Sequence, residues 1–207
     1  MSMPDQIVLA TTNPHKLEEV RGVLGPAGVD VLSLADLAID ADPPIEDQPT
    51  FAGNAAIKAR HYAARAARPC LADDSGLEVD ALDGAPGVHS ARYAGAVGDR
   101  AEVDAANNRR LVDALADVPF DRRTARYVCV MVLADGDRKL AEARGTLEGR
   151  ILDQPRGSHG FGYDPHFWLD DRRCTVAELS AEQKNAISHR GEATRRLLER
   201  IQKGRVD

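Results

Sequence analysis

Asp73-Asp74-Ser75-Gly76 places two adjacent carboxylates at the end of a short apolar run, Cys70-Leu71-Ala72. Carboxylate oxygens suit Mg2+, a hard cation that usually keeps waters and substrate phosphates as its other ligands. One of the pair could also take a proton from an attacking water. The Ser-Gly step reads as a turn; in a continuing strand Asp73 and Asp74 would point to opposite faces and could do different jobs. An Asp-rich turn that satisfies its own backbone amides accounts for the same residues. Glu46 is the distant acidic partner, and nothing local separates it from Asp42 or Asp47.

Thr11-Thr12-Asn13-Pro14-His15-Lys16 lies where a strand passes into a helix. Free amides and the positive end of the helix dipole favour an anion there, and two hydroxyls and Lys16 add donors. The segment lacks the glycines and the Gly-Lys-Ser/Thr ending of a Walker A loop. An ordinary turn capped by Asn13 would look alike. Gly160-Phe161-Gly162-Tyr163-Asp164-Pro165 sets two aromatics among flexible residues in a chain only 4% aromatic. Such a ring offers a base a stacking face, although Phe161 and Tyr163 could equally finish a core. Ser188-His189-Arg190, with Lys184 four residues before Ser188, supplies hydrogen-bond donors and a guanidinium that can stack; a Ser cap followed by solvated basic residues is the plainer alternative.

Other chemistries are disfavoured. The 207 residues carry 27 Lys and Arg against 33 Asp and Glu, a net charge of -6, and no basic tract. That balance argues against a long nucleic acid as partner, yet leaves room for a small anion met by a few placed cations. Three widely spaced cysteines argue against a disulfide framework and a thiolate zinc site. No Gly-x-Ser-x-Gly elbow occurs, and Cys129 falls inside the most strand-like segment. No run approaches the roughly 20 apolar residues that span a bilayer, and the first residues lack a signal-peptide pattern, so a cytoplasmic location is expected.

These groups need elements to hold them. Ile7–Ala10 reads as a buried strand, and a helix capped by Asn13 with Pro14 at its first position follows, closed by Gly25 as a left-handed cap before Pro26. Val29–Leu34 is a second strand, and residues 40–49 form an acidic, proline-rich loop. Thr50 caps a helix running to about Ala67, with Asn54 and Lys58 one turn apart on a face of their own. A helix over roughly residues 100–116 precedes the strand Ala125–Ala134, and Asp135-Gly136 signals a hairpin with the return Lys139–Gly145. After a Gly/Pro-rich loop and the apolar patch Pro165–Leu169 come two closing helices. Strands alternate with helices early and pair as hairpins later, which predicts an α/β or mixed α+β fold of one domain over residues 1–207.

Taken in order, these segments resemble the inosine triphosphate pyrophosphatase family, which clears non-canonical purine nucleoside triphosphates. The likeness lies in Thr11–Lys16, Phe51–Ala59, Ala72–Leu77, Gly87–Tyr93, Phe161–Pro165 and Ser188–Arg190, and it runs from Ile7 to the last helix. The resemblance implies Mg2+-dependent hydrolysis of ITP, dITP and XTP to the monophosphate and pyrophosphate. It also implies an elongated mixed sheet flanked by helices, two lobes around a central cleft, and a homodimer. On the same basis Thr11, Thr12, Asn13, Pro14, His15 and Lys16 would hold the triphosphate with Lys58 and Ser75. Glu46 and Asp74 would serve the metal, Asp74 also as base beside Asp73. Phe161, Gly162, Tyr163, Asp164, Lys184, His189 and Arg190 would enclose the purine.

Overall fold

The computed structural model describes residues 4–40 and 42–203; residues 1–3, Ala41 of the acidic loop and residues 204–207 lie outside the described part. Seven strands form a mixed sheet in the order β2-β1-β3-β4-β5-β6-β7, flanked by helices. β1 (Gln6–Leu9) runs parallel to β2 (Asp30–Ser33) and to β3 (Cys70–Val79). β4 (Thr124–Asp135) and β5 (Arg138–Ile151) are neighbours joined at Gly136-Asp137, and β5, β6 (Phe167–Leu169) and β7 (Cys174–Thr175) pair antiparallel. The chain separates into two compact units.

The first unit comprises the residues up to Asp74, Cys129–Gly145, and those from His189 on. β1, the start of β3 and the end of β4 are buried on both faces, and their two-residue alternation sorts side chains into two cores. Ile7, Leu9, Leu71, Met131 and Leu133 share one core with α1 (Pro14–Leu24) and α5 (His189–Lys203). Val8, Ala10, Cys70, Ala72 and Val132 share the other with α2 (Phe51–Ala66). Local signals set the helix starts: the Asn13 side chain accepts from the His15 amide with Pro14 next, and the Thr50 hydroxyl accepts from Gly53. Each cap contributes about 1 kcal/mol. Gly25 is not left-handed as the sequence suggests; the chain makes another tight turn over Gly25–Ala27, and Gly28 takes the positive φ of 79°. α5 lies so close on β5 that a Cβ at Gly145 would run into the His189 carbonyl and the Ala193 amide.

The second unit comprises Ser75–Val128 and Thr146–Ser188. Leu77, Val79, Leu111, Tyr127, Ile151 and Phe167 belong to its core, which packs α3 (Arg100–Ala114) against strands. α3 starts at a reciprocal capping box of Asp99 and Glu102, and α4 (Ala181–Ile187) starts at one of Ser180 and Gln183. No described helix is long and apolar enough to cross a membrane.

Candidate functional site

The adjacent aspartates do not form a turn. β3 continues through Asp73-Asp74-Ser75-Gly76 to Val79, so the alternation of the strand splits the pair. Asp73 follows Leu71 onto the face of α1 and α5, and Asp74 follows Ala72 onto the face of α2. The strand survives two carboxylates because each meets a cation on its own side.

Asp73 is 2% exposed, and Oδ2 receives Lys16 Nζ at 2.9 Å and Arg190 Nε at 3.3 Å. Arg190, also 2% exposed, donates through Nη1 to Glu19 at 2.7 Å. Burial alone would push the Asp73 carboxyl up, but Lys16, Arg190 and Lys58 outweigh it and hold it far below the usual range. For Arg190, burial works against the charge and is overcome by Asp73 and Glu19, so the guanidinium stays ionised. Two cations and two carboxylates thus balance in the interior, the arrangement a buried ion pair requires.

On the other face, Asp74 Oδ2 accepts from Asn54 Nδ2 at 3.1 Å, and Asp74 Oδ1 lies 3.8 Å from Lys58 Nζ. Lys58 also binds Glu46 Oε2 at 2.8 Å. Burial lowers the Lys58 pKa, yet Asp73, Asp74 and Glu46 together raise it above its ordinary value. For Asp74 the balance falls the other way: burial raises its pKa, Glu46 adds to this, and Lys58 and Asn54 offset only part. Asp74 is therefore the more basic carboxylate of the pair. The Asn54 Oδ1 atom also accepts from the Gln48 amide at 3.0 Å, which ties the acidic loop to α2.

A cavity of about 180 Å3 opens here, lined by Thr11, Thr12, Lys16, Glu46, Lys58 and Asp73 among others. Thr11 Oγ1 accepts from the Asn13 amide at 3.1 Å, and Asn13 Oδ1 from the His15 amide at 3.0 Å, so the predicted phosphate turn is a cap wound by its own side chains. Pro14 begins α1, His15 is exposed, and Ser75 continues β3 beyond Asp74. Cationic side chains and a helix N-terminus at one cavity suit a polyanion. Glu46 and Asp74 offer hard oxygen donors, and their shared ammonium shows that a positive charge is favoured there. Among the described residues no cluster of three or more His, Cys, Asp or Glu is arranged to hold a metal. A Mg2+ site completed by substrate phosphates and water fits that donor set, because it needs only one or two carboxylates.

The second group lies in the second unit. Asp164 is 3% exposed; Oδ2 accepts from Lys184 Nζ at 2.7 Å and from the Phe161 amide at 2.9 Å, and Oδ1 accepts from the Tyr127 hydroxyl at 3.0 Å. Lys184 Nζ lies 4.5 Å and Arg100 Cζ 5.3 Å from the centre of the half-buried Phe161 ring. Tyr163 is buried and donates to the Ser90 carbonyl at 2.8 Å, so it completes the core, the alternative that the sequence had left open. Gly162 takes a φ of +63°.

Lys16 joins Asp73, Lys58 joins Glu46 and Asp74, and Phe161 joins Asp164 and Lys184. Arg190, grouped by sequence with Lys184, is held by Glu19 and Asp73, and His189 is a buried residue at the start of α5. Sequence reasoning missed Glu19, whose signal was a carboxylate beside the core-facing Val20, and Arg100, Asp104 and Asn108, spaced four apart along α3. Cys70 and Cys129 are wholly buried; burial pushes the Cys70 thiol up to about 12 and raises Cys129 as well, so neither is a nucleophile.

Residues 7–200 match the model of the Ham1 family. A curated dITP/XTP pyrophosphatase of Exiguobacterium sibiricum is 49% identical over 193 residues, covering 93% of this chain and 94% of that protein. The solved structure of a HAM1 protein from Coxiella burnetii superposes with a TM-score of 0.84 at 38% identity, covering 96% of this chain and 98% of that one. The crystal structure of a nucleoside-triphosphatase, dITP/XTP pyrophosphatase, from Mycobacterium abscessus gives 0.73 at 41% identity, covering 93% and 98%.

Proposed function

The chain belongs to the Ham1 family, and from that premise we propose that it is a nucleoside triphosphate pyrophosphatase that converts ITP, dITP and XTP to the monophosphate and pyrophosphate. The observation that carries this reading is the Lys58 ammonium held by Glu46 at 2.8 Å and lying 3.8 Å from Asp74, at a cavity that also takes in Lys16. Lys16 and Lys58 bind the phosphates beside the positive end of α1, and their charge offsets that of the anion. Glu46 and Asp74 would hold Mg2+, which when bound supplies charge neutralisation and a more acidic water.

Cleavage of a phosphoanhydride by water demands positioning and charge compensation more than covalent catalysis. Asp74 is the base: the water oxygen bonds to phosphorus, its proton passes to the Asp74 carboxylate, and the α–β bond breaks with pyrophosphate taking the electron pair. Asn54 orients the Asp74 carboxylate through Oδ2, and Oδ1 on the Lys58 side is the oxygen placed to accept that proton. Asp73 already pairs with Lys16 and Arg190 through Oδ2, and its part is to fix Lys16. Arg190 acts on the same side by fixing Asp73.

For the purine, Phe161 offers a stacking face. Lys184 has three N–H donors and spends one on Asp164, so a C6 keto oxygen can be met. Adenine would set its 6-amino group against that donor, at a cost of about 1–3 kcal/mol, roughly five- to 150-fold. Guanine shares the keto group, so its rejection rests on the 2-amino group. The test is a substrate panel with pyrophosphate detection. ITP, dITP and XTP should exceed ATP and GTP at least about tenfold in kcat/KM, with turnover lost in a chelator and restored by Mg2+. Equal turnover of ATP and ITP would overturn the selectivity, and full turnover in chelator the metal assignment. A homodimer in the cytoplasm, implied by the family pattern, is part of the same proposal, and sedimentation of the purified protein tests the dimer.

A further inference from the structure

Arg100, Asp104 and Asn108 stand at i, i+4 and i+8 on α3, and hence on one face of that helix. All three meet the segment Phe161-Gly162. Asp104 Oδ2 accepts from the Gly162 amide at 2.8 Å, and Asn108 Nδ2 donates to the Gly162 carbonyl at 2.8 Å. The guanidinium of Arg100 lies 5.3 Å from the centre of the Phe161 ring, and its Nε donates to Asp104 Oδ1 at 3.0 Å. Asn108 Nδ2 also donates to the Asp104 carbonyl at 2.9 Å, which ties that side chain to its own helix.

This loop cannot be fixed by its own regular structure. Gly160 and Gly162 both take positive φ, +79° and +63°, in a stretch outside any strand or helix. Side chains therefore hold it instead: Asp164 takes the Phe161 amide, and α3 takes both the amide and the carbonyl of Gly162. With the peptide groups after Phe161 clamped at both ends, the direction in which the ring leaves the backbone is set by α3.

We propose that Asp104 and Asn108 are positioning residues for purine recognition: by clasping the Gly162 peptide they fix the Phe161 ring that the base stacks on. This rests on the reading that the Phe161 loop takes the base. Phosphate binding belongs to Lys16 and Lys58, so loss of the clasp should weaken the nucleotide through its base end only.

The experiment compares the wild-type enzyme with Asp104→Ala, Asp104→Asn and Asn108→Ala in ITP hydrolysis, and uses inorganic tripolyphosphate, which has no base, as a competitive inhibitor. Asp104→Ala and Asn108→Ala should each raise KM for ITP about tenfold while kcat stays within about twofold. Asp104→Asn keeps an oxygen for the Gly162 amide and should recover most of the lost affinity. Inhibition by tripolyphosphate should be unchanged in all three. An unchanged KM in Asp104→Ala and Asn108→Ala would overturn the proposal, as would an Asp104→Asn enzyme as impaired as Asp104→Ala. Equal losses of ITP and tripolyphosphate binding would also overturn it, by showing a general loss of structure. A wild-type enzyme that releases no pyrophosphate from ITP would instead overturn the underlying reading, and binding of IMP to the same variants would then still report on the clasp.

Discussion

Replacing Glu19 by Ala should destabilise the protein severely although Glu19 touches no predicted phosphate ligand. Its carboxylate is the 2.7 Å partner of Arg190, and both residues are buried. In the intact protein Lys16 and Arg190 are balanced by Glu19 and Asp73. Removing Glu19 leaves an excess positive charge in the interior, and such breakage costs about 3–5 kcal/mol. For a domain of this size each kcal/mol is about 2–4 °C in Tm, so the transition should fall by roughly 6–20 °C in scanning calorimetry. Glu19→Gln keeps an acceptor and should lose less, about 1–3 kcal/mol. The double variant Glu19→Leu/Arg190→Met removes both charges, and although it also takes a partner from Asp73 it should be less destabilised than Glu19→Ala. A Glu19→Ala protein melting within about 2 °C of wild type would refute the reasoning. So would a double variant that merely sums its two single losses, because coupling is the premise.

Asp74→Asn is close in shape and retains an oxygen for Asn54, so it should fold with unchanged Tm and lose about 10²- to 10⁴-fold in kcat for ITP, read by pyrophosphate release. Lys58→Met leaves Glu46 and Asp74 facing each other without their cation; KM for ITP should rise roughly 10- to 150-fold, the worth of a charged hydrogen bond. Gly145→Ala must push α5 away from β5, and should cost about 1–3 kcal/mol, visible as a fall in Tm in calorimetry.

Much of this architecture is legible in local chemistry. Asn13-Pro14 and Thr50 start their helices where the capping rules put them, because caps depend on a few consecutive residues. The Asp73-Asp74 step was harder, since a strand is expected to avoid two charges. β3 passes through only because Lys16 and Arg190 wait on one face and Lys58 on the other, from three different helices. That information is tertiary, and no window of sequence contains it. Arg190 shows the same limit: beside His189 it reads as a ligand donor, but Glu19, far away in the chain, claims the guanidinium. The α3 ladder of Arg100, Asp104 and Asn108 was present as a four-residue spacing, yet its target was a glycine peptide that carries no side-chain signal.

The central claim is that water cleaves the α–β anhydride of a non-canonical purine triphosphate. Phosphorus NMR of the purified protein with ITP and Mg2+ tests it most directly. IMP and pyrophosphate should appear together in equal amounts from the first spectrum, with no IDP. Build-up of IDP and orthophosphate would contradict the account.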